Sequence, residues 1–313
     1  MGLTNFKNGI TSFGVPTFGS LGIGNVYFIS RTASSAQSAL FTKRYGATRF
    51  DDGTKMLWQD AADGVQLQAA ITASQGGFNN YFIVAPGQYT LTVALTLAGK
   101  SNSHLIACNQ ADYGSGAPGS SLLQQSGSYV GLIMEAYCEV SGFQFINKAG
   151  YAAVNVPVNI WRPSIHHNCF HVVGGSACNI IDATAAAACS YGNISNNRFA
   201  TWVSGNLTSC INVGTGTGVV IDGNVISHYS GTMDYGIVQA GAQGIVSNNI
   251  VSDCGNNGTI TSAISVYKWS SAVGNRLAVP ATYGLAGGAT GKTFVDNLDA
   301  RATAGTDIWN LET

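Results

Sequence analysis

The stretch Ile194-Ser-Asn-Asn197-Arg-Phe199 has an apolar residue, an asparagine three positions later, and a second apolar residue two positions after that. This arrangement returns five more times between residues 165 and 299. Its asparagine, called the anchor here, occurs at Asn168, Asn197, Asn224, Asn249, Asn275 and Asn297, and an earlier copy has Phe143 in that place. Successive anchors lie 25, 29, 27, 25, 26 and 22 residues apart. A repeat of this period is typical of a solenoid, in which each repeat forms one coil.

Aligning the coils on the anchor gives consistent columns. The position two after the anchor is apolar in every copy until the last, which has Asp299. The position just before the anchor holds residues that tolerate a positive φ: Gly142, His167, Asn196, Gly223, Asn248, Gly274 and Asp296. Each coil is therefore predicted to contain a strand, a one-residue left-handed kink and a second strand. The anchors are expected to stack as a structural asparagine ladder inside the kink.

The residues ahead of the repeat are typical of the blunt end of such a solenoid. Residues 64–74 space their apolar side chains as a short amphipathic helix does, and a buried strand follows at residues 81–84. The sequence thus predicts an all-β fold, a right-handed parallel β-helix with a short N-terminal capping helix. Its body is expected to span residues 63–313, with a C-terminal cap from about residue 300.

The first 30 residues differ from the body in composition. They are rich in glycine and aromatic residues and have almost no charge, whereas disordered segments are usually charged and poor in aromatics. Residues 1–30 are therefore predicted to form an extended arm that orders against another surface, anchored through Phe6, Phe13 and Phe18. The charged residues 31–62 are predicted to connect arm and body.

The composition excludes several classes of function. Charged residues make up 9% of the chain, against about 25% in typical soluble proteins, so we expect side faces to be buried in an oligomer. The 14 Lys and Arg against 15 Asp and Glu leave no basic surface for nucleic acid. No segment approaches the ~18 apolar residues of a membrane span. The first residues lack the apolar core of a signal peptide, so we expect synthesis in the host cytoplasm.

Few residues are candidates for chemistry. His228 and Asp253 occupy the same column in adjacent coils, and Asp234 lies in the following loop, so an Asp-oriented general base is one reading. The alternative is a cross-strand polar pair that only stabilises the sheet. His166 and His167 lack a third metal ligand, and the seven cysteines form no CxxC pair. No metal or cofactor is expected.

Aromatic residues beside the strand and turn columns suggest binding instead. They are Trp161, Trp202, Tyr229, Tyr267 and Trp269. Sugar rings could stack on them, with Trp202 and Trp269 as the main candidates, or they could pack between subunits. The apolar Val225 and Ile250, just after their anchors, also favour a subunit interface.

Two resemblances extend this reading. The asparagine-turn coils and the preceding Pro86-Gly-Gln-Tyr89 stretch resemble the pectin-lyase-like β-helix superfamily. That resemblance implies the fold alone, because its members include lyases, hydrolases, adhesins and virion proteins. The start, Leu3-Thr-Asn-Phe-Lys-Asn-Gly-Ile-Thr-Ser-Phe-Gly-Val-Pro16, is similar to structural proteins of tailed bacteriophages. In those proteins a short N-terminal arm docks on the particle, and a β-helix projects from it, commonly as a trimer.

The expected function is therefore a non-enzymatic virion protein, a head decoration or fibre-like projection that forms a homotrimer and docks through residues 1–30. One alternative is a tailspike-type enzyme, a lyase or glycoside hydrolase that cleaves host surface polysaccharide. A third is an adhesin that binds such a glycan without cleaving it.

Overall fold

The computed structural model describes residues 25–30, 57–59, 64–107, 121–147, 150–174, 177–267, 269–278, 283–288, 293–295 and 297–299. These residues fold as a parallel β-solenoid of about seven turns, which confirms the predicted fold class. The proposed anchoring residues Phe6, Phe13 and Phe18 and the cap beyond residue 300 lie outside the described residues.

The elements follow one another along the chain with a single helix among the described residues. They are β1 (Asn25–Ser30), β2 (Leu57–Gln59), α1 (Val65–Ala73), β3 (Asn80–Val84), β4 (Gly87–Leu91), β5 (Leu95–Thr96), β6 (Ser103–Ala107), β7 (Ser121–Gln125), β8 (Leu132–Ile133), β9 (Glu139–Ser141), β10 (Gln144–Asn147), β11 (Val154–Asn155), β12 (Ser164–His166), β13 (Cys169–Val173), β14 (Asn179–Ala183), β15 (Asn193–Ser195), β16 (Arg198–Val213), β17 (Val220–Asp222), β18 (Val225–Gln239), β19 (Ile245–Ser247), β20 (Ile250–Tyr267), β21 (Ser271–Val273), β22 (Arg276–Ala278), β23 (Tyr283–Gly288), β24 (Thr293–Val295) and β25 (Leu298–Asp299).

Two parallel sheets form the long walls of the solenoid. The first has 11 strands in the order β2-β1-β3-β6-β9-β12-β15-β17-β19-β21-β24. The second has 14 strands in the order β25-β22-β20-β18-β16-β13-β10-β7-β4 along its main path, with the remaining strands branching from it. From β9 onward each coil adds one strand to the first sheet and one or two strands to the second, and all are parallel because the chain turns the same way every time.

The short strands of the first sheet have residues in the left-handed backbone conformation both before and after them. From β9 to β21 each of these strands has three residues. The residue after each strand has a positive φ, as predicted, and we call this set the kink column: Gly142, His167, Asn196, Gly223, Asn248 and Gly274. A second set of positive φ values lies six residues before each anchor and was not predicted. We call it the corner column: Tyr137, Arg162, Tyr191, Gly218, Gln243 and Trp269.

The anchor asparagines form a continuous ladder of buried side chains. In the middle of it, Asn224 Nδ2 donates to the carbonyl oxygen of Ile194 and to Asn249 Oδ1, both at 2.9 Å. Asn224 Oδ1 accepts from the backbone N and from Nδ2 of Asn197, both at 3.0 Å. The pattern runs from Asn168 to Asn297 with side chains at most 8% exposed. The ladder therefore satisfies the backbone groups that the kink would otherwise leave unpaired inside the solenoid.

Apolar columns fill the interior beside this ladder. Phe145, Phe170 and Phe199, two positions after their anchors, stack with ring centroids 5.0 and 4.8 Å apart. At the N-terminal end, α1 buries Leu67 and Ile71 and packs against β1, β2 and β5. The helix therefore covers the apolar end of the first coil.

The body begins earlier in the chain than the sequence suggested. Strand β1 pairs in parallel with β2 and β3, and the buried ring of Tyr27 stacks on Phe82 with centroids 5.1 Å apart. Residues 25–30 had been assigned to the arm and residues 57–59 to the connector, but both segments belong to the first sheet. Each segment is short and lies outside the anchor repeat, so no column revealed it.

Candidate functional site

His228 is fully buried and both of its ring nitrogens are engaged. Nε2 lies 3.1 Å from the carbonyl oxygen of Gly231, which can only accept, so Nε2 carries the proton. Nδ1 lies 2.7 Å from Thr201 Oγ1 and accepts from that hydroxyl in the neutral ring. Burial lowers the pKa of His228, with smaller opposing effects from the Gly231 carbonyl and from Asp253. The imidazole is thus neutral at physiological pH and has no nitrogen left to take a proton from a substrate.

The two acidic candidates occupy different positions relative to His228. Asp253 lies directly across from His228 in the register of β18 and β20, as the columns predicted. Asp234 accepts a hydrogen bond from Asn206 Nδ2 at 3.1 Å in the preceding coil. This geometry matches the alternative reading, a polar pairing that stabilises neighbouring coils.

Trp202 belongs to an aromatic stack on the outside of the second sheet. Its ring lies parallel to that of Tyr229, with a centroid separation of 4.4 Å and an interplanar angle of 4°. On its other side the ring of His171 contacts it at 4.7 Å in an edge arrangement. One face of Trp202 is therefore covered by Tyr229, and a sugar would have to displace that ring to stack there.

Trp269 has a different environment. It lies in the corner column at φ 57° and is 68% exposed, the largest value among the large apolar side chains that the structure describes. Of the two predicted glycan-stacking residues, Trp269 is the more exposed, because Trp202 is 38% exposed.

A second exposed group of rings occurs earlier in the same column. The Trp161 ring stacks on Tyr191 with centroids 5.6 Å apart, and both side chains are about half exposed, at 47% and 51%. The column position next to Tyr191 is Gly218, where an added β-carbon would come within 2.8 Å of the Tyr191 ring. The Tyr191 ring therefore lies between Trp161 and the backbone of Gly218.

A polar cluster around Glu139 was missed by the sequence reasoning. Its Oε2 lies 2.7 Å from Nδ1 of His104, and its Oε1 lies 3.0 Å from Nε2 of His166 and accepts from Ser141 Oγ at 3.0 Å. The three charged or titratable side chains come from β6, β9 and β12, which are consecutive in the first sheet. His166 and Glu139 occupy the same outer face in adjacent coils, so the column alignment contained the signal for that pair.

The hydrogen bonds in this cluster favour the ionised form of Glu139. The bonds from His104 and His166 hold the pKa of Glu139 well below its usual range, although burial acts in the opposite direction. His166 also places Nδ1 2.8 Å from Nδ1 of His167, and burial together with His166 lowers the pKa of His167. Both carboxylate oxygens of Glu139 are therefore engaged in tying coils together, which leaves this group poorly suited to attack a substrate.

The described part of the chain was also searched for metal ligands and for thiols. Within it, no cluster of three or more His, Cys, Asp and Glu side chains is arranged to hold a metal ion. The described cysteines are free thiols, and burial raises the pKa of Cys138 and of Cys189 to about 12. These two thiols are therefore protonated and serve as small core residues.

Val225 and Ile250, where a subunit contact was expected, are both half-buried within the single chain. Among the described helices none is long and apolar enough to span a bilayer.

A search for similar family models, curated proteins and solved structures finds no match to this chain.

Proposed function

We propose that this chain is a non-enzymatic structural protein of a tailed-phage virion. In this role the β-solenoid projects from the particle as a homotrimer, either as a head decoration or as a fibre-like element. Residues 1–30 provide the contact to capsid or tail proteins.

One observation carries the non-enzymatic part of this proposal. The histidine that aligns with a carboxylate, His228, is buried, neutral and bonded at both nitrogens. The carboxylate with the most perturbed pKa, Glu139, is likewise held by its neighbours. These two polar groups thus bond to neighbouring residues, while the most exposed large apolar side chain of the described residues is that of Trp269, which suits contact rather than catalysis.

The experiment that tests the role is truncation of the arm. Because β1 begins at Asn25, the deletion should remove residues 2–24 and keep the first strand. The truncated protein should keep its circular-dichroism spectrum but fail to co-sediment with particles of the phage that encodes it, whereas the full chain co-sediments. Equal co-sedimentation of both forms, or no binding of the full chain, would overturn the proposed attachment.

A glycan-binding adhesin is the second candidate, favoured by the 68% exposure of Trp269. It predicts that host surface polysaccharide binds the full chain and that Trp269→Ala weakens this binding at least tenfold. Release of reducing ends or unsaturated sugars from the same polysaccharide would instead favour a tailspike-type depolymerase.

A further inference from the structure

The corner column contains residues that are poorly suited to its backbone conformation. A positive φ near 55° brings the β-carbon of an L-residue close to the following carbonyl, and Gly and Asn tolerate it best. The kink column follows this rule with glycine, asparagine and one histidine. The corner column has Tyr137, Arg162, Tyr191 and Trp269 at φ values of 51–59°. A turn that served the fold alone would have no reason to use these bulky residues.

The core does not offset this strain. Tyr137, Tyr191 and Trp269 are 47%, 51% and 68% exposed, and Arg162 is exposed as well. Their side chains lie outside the core, so core packing does not account for the presence of these residues. We define the corner surface as Tyr137, Trp161, Arg162, Tyr191 and Trp269.

The composition and ring geometry of the corner surface favour a protein partner over a sugar. Trp, Tyr and Arg are the residues most enriched at the energetic centres of protein interfaces. A sugar needs a free ring face, and at Tyr191 none is available, because this ring lies between Trp161 and the backbone of Gly218. Ring edges, which remain available there, pack well against a protein surface.

The axial repeat points to the identity of that partner. The column runs across five coil steps from Tyr137 to Trp269, which is ~24 Å at the ~4.8 Å spacing of paired strands. A second solenoid of the same sequence has the same spacing, so its coils stay in step with the column over this whole length. A partner without such a repeat matches it only locally. With charged residues at 9%, two copies also meet with little charge to desolvate.

We infer that the corner surface is the lateral contact between copies of this chain. This inference rests on the proposed self-association and assigns it a location. It differs from the expectation that Val225 and Ile250 form the contact.

The test is sedimentation velocity on the full chain and on the double variant Tyr191→Asn with Trp269→Asn. Asparagine tolerates a positive φ, so the variant should fold and keep its circular-dichroism spectrum. The full chain should sediment as an oligomer, and the variant should associate at least tenfold more weakly. Val93→Asn is the matched control, because Val93 is 55% exposed but lies between β4 and β5 of the second sheet and not before a strand of the first sheet. It should sediment like the unmodified chain.

The outcomes separate the location of the interface from the self-association itself. A folded double variant that stays oligomeric at the same concentrations overturns the corner surface as the contact and leaves self-association intact. A full chain that is monomeric at every concentration overturns both. A monomeric full chain whose glycan binding is lost in the double variant would assign the corner surface to carbohydrate and also overturn the inference.

Discussion

The two ends of the short strands in the first sheet use the same backbone conformation with opposite kinds of residue. At the kink, φ lies between 53° and 80° and the residues are glycine, asparagine or histidine. At the corner, φ lies between 51° and 67°, yet four of the six residues are Tyr, Arg or Trp. The conformational demand is alike at both ends, so it cannot explain the difference in sequence.

The difference follows from what each end contacts. The kink surrounds the buried asparagine ladder, where a wrong side chain disturbs hydrogen bonds that run the length of the solenoid. The corner faces outward, where a side chain can be chosen for what it binds at some cost to the fold. Substitutions at the kink should therefore destabilise the chain, and substitutions at the corner should mainly change its associations.

The largest effect is expected for Asn224→Ala beside the kink. The change removes four hydrogen bonds and leaves buried donors of Asn197 and the carbonyl of Ile194 without their partner. We expect the free energy of unfolding to fall by about 3–4 kcal/mol, measured by urea denaturation. The control Asn206→Ala, at an exposed asparagine outside the ladder, should change it by less than about 0.5 kcal/mol. Equal effects of the two changes would contradict the importance of the ladder.

A smaller loss is expected for Gly223→Ala within the kink column. At φ 64° the new β-carbon is strained and would approach Asn196 Oδ1 to 2.7 Å. The expected destabilisation is about 1–2 kcal/mol by the same measurement. Gly223→Asn provides the matched comparison, because Asn196 and Asn248 hold this position in the neighbouring coils. It should cost less than alanine, and the opposite order would show that strain does not govern this column.

The columns also show how far the sequence alone could go. The anchor repeat was sufficient to predict the coil, the kink and the ladder. Each of these features has a residue of distinctive chemistry at a fixed distance from the anchor. The corner column has an equally fixed offset, but its residues share no chemistry, so only the backbone angles reveal it. Strands β1 and β6 precede the anchor repeat, which hid both the early start of the body and the contact of His104 with Glu139. The hydrogen bonds at both nitrogens of His228 come from Thr201 and Gly231, and no sequence motif identifies these two residues.

The third prediction concerns the strand between the two columns, where Glu139 joins His104 and His166. Its lowered pKa means that the unfolded chain binds this proton more readily, so the stabilisation is present above the ordinary carboxyl pKa of about 4.3 and is lost as the pH falls below it. Glu139→Gln should lower stability by about 1 kcal/mol at pH 6, since the side chain is 24% exposed. Melting temperatures of both proteins should begin to converge below about pH 4 and approach each other further as the pH falls through the lowered pKa of Glu139. A gap that stays constant with pH would mean that charge plays no part in this contact.

The smallest expected effect has the opposite sign and distinguishes the two columns most directly. Trp269→Asn relieves strain at φ 57° and gives up little packing, because the side chain is 68% exposed. The isolated chain should therefore gain up to about 1 kcal/mol of stability, measured by urea denaturation at a concentration where it is monomeric. In sedimentation equilibrium the same variant should associate more weakly than the unmodified chain. Loss of stability would mean that the indole packs within its own chain after all. A gain in stability with unchanged association would mean that self-association does not explain the strained residue at this corner. Greater stability together with weaker association would show that Trp269 serves the contact between chains and not the turn.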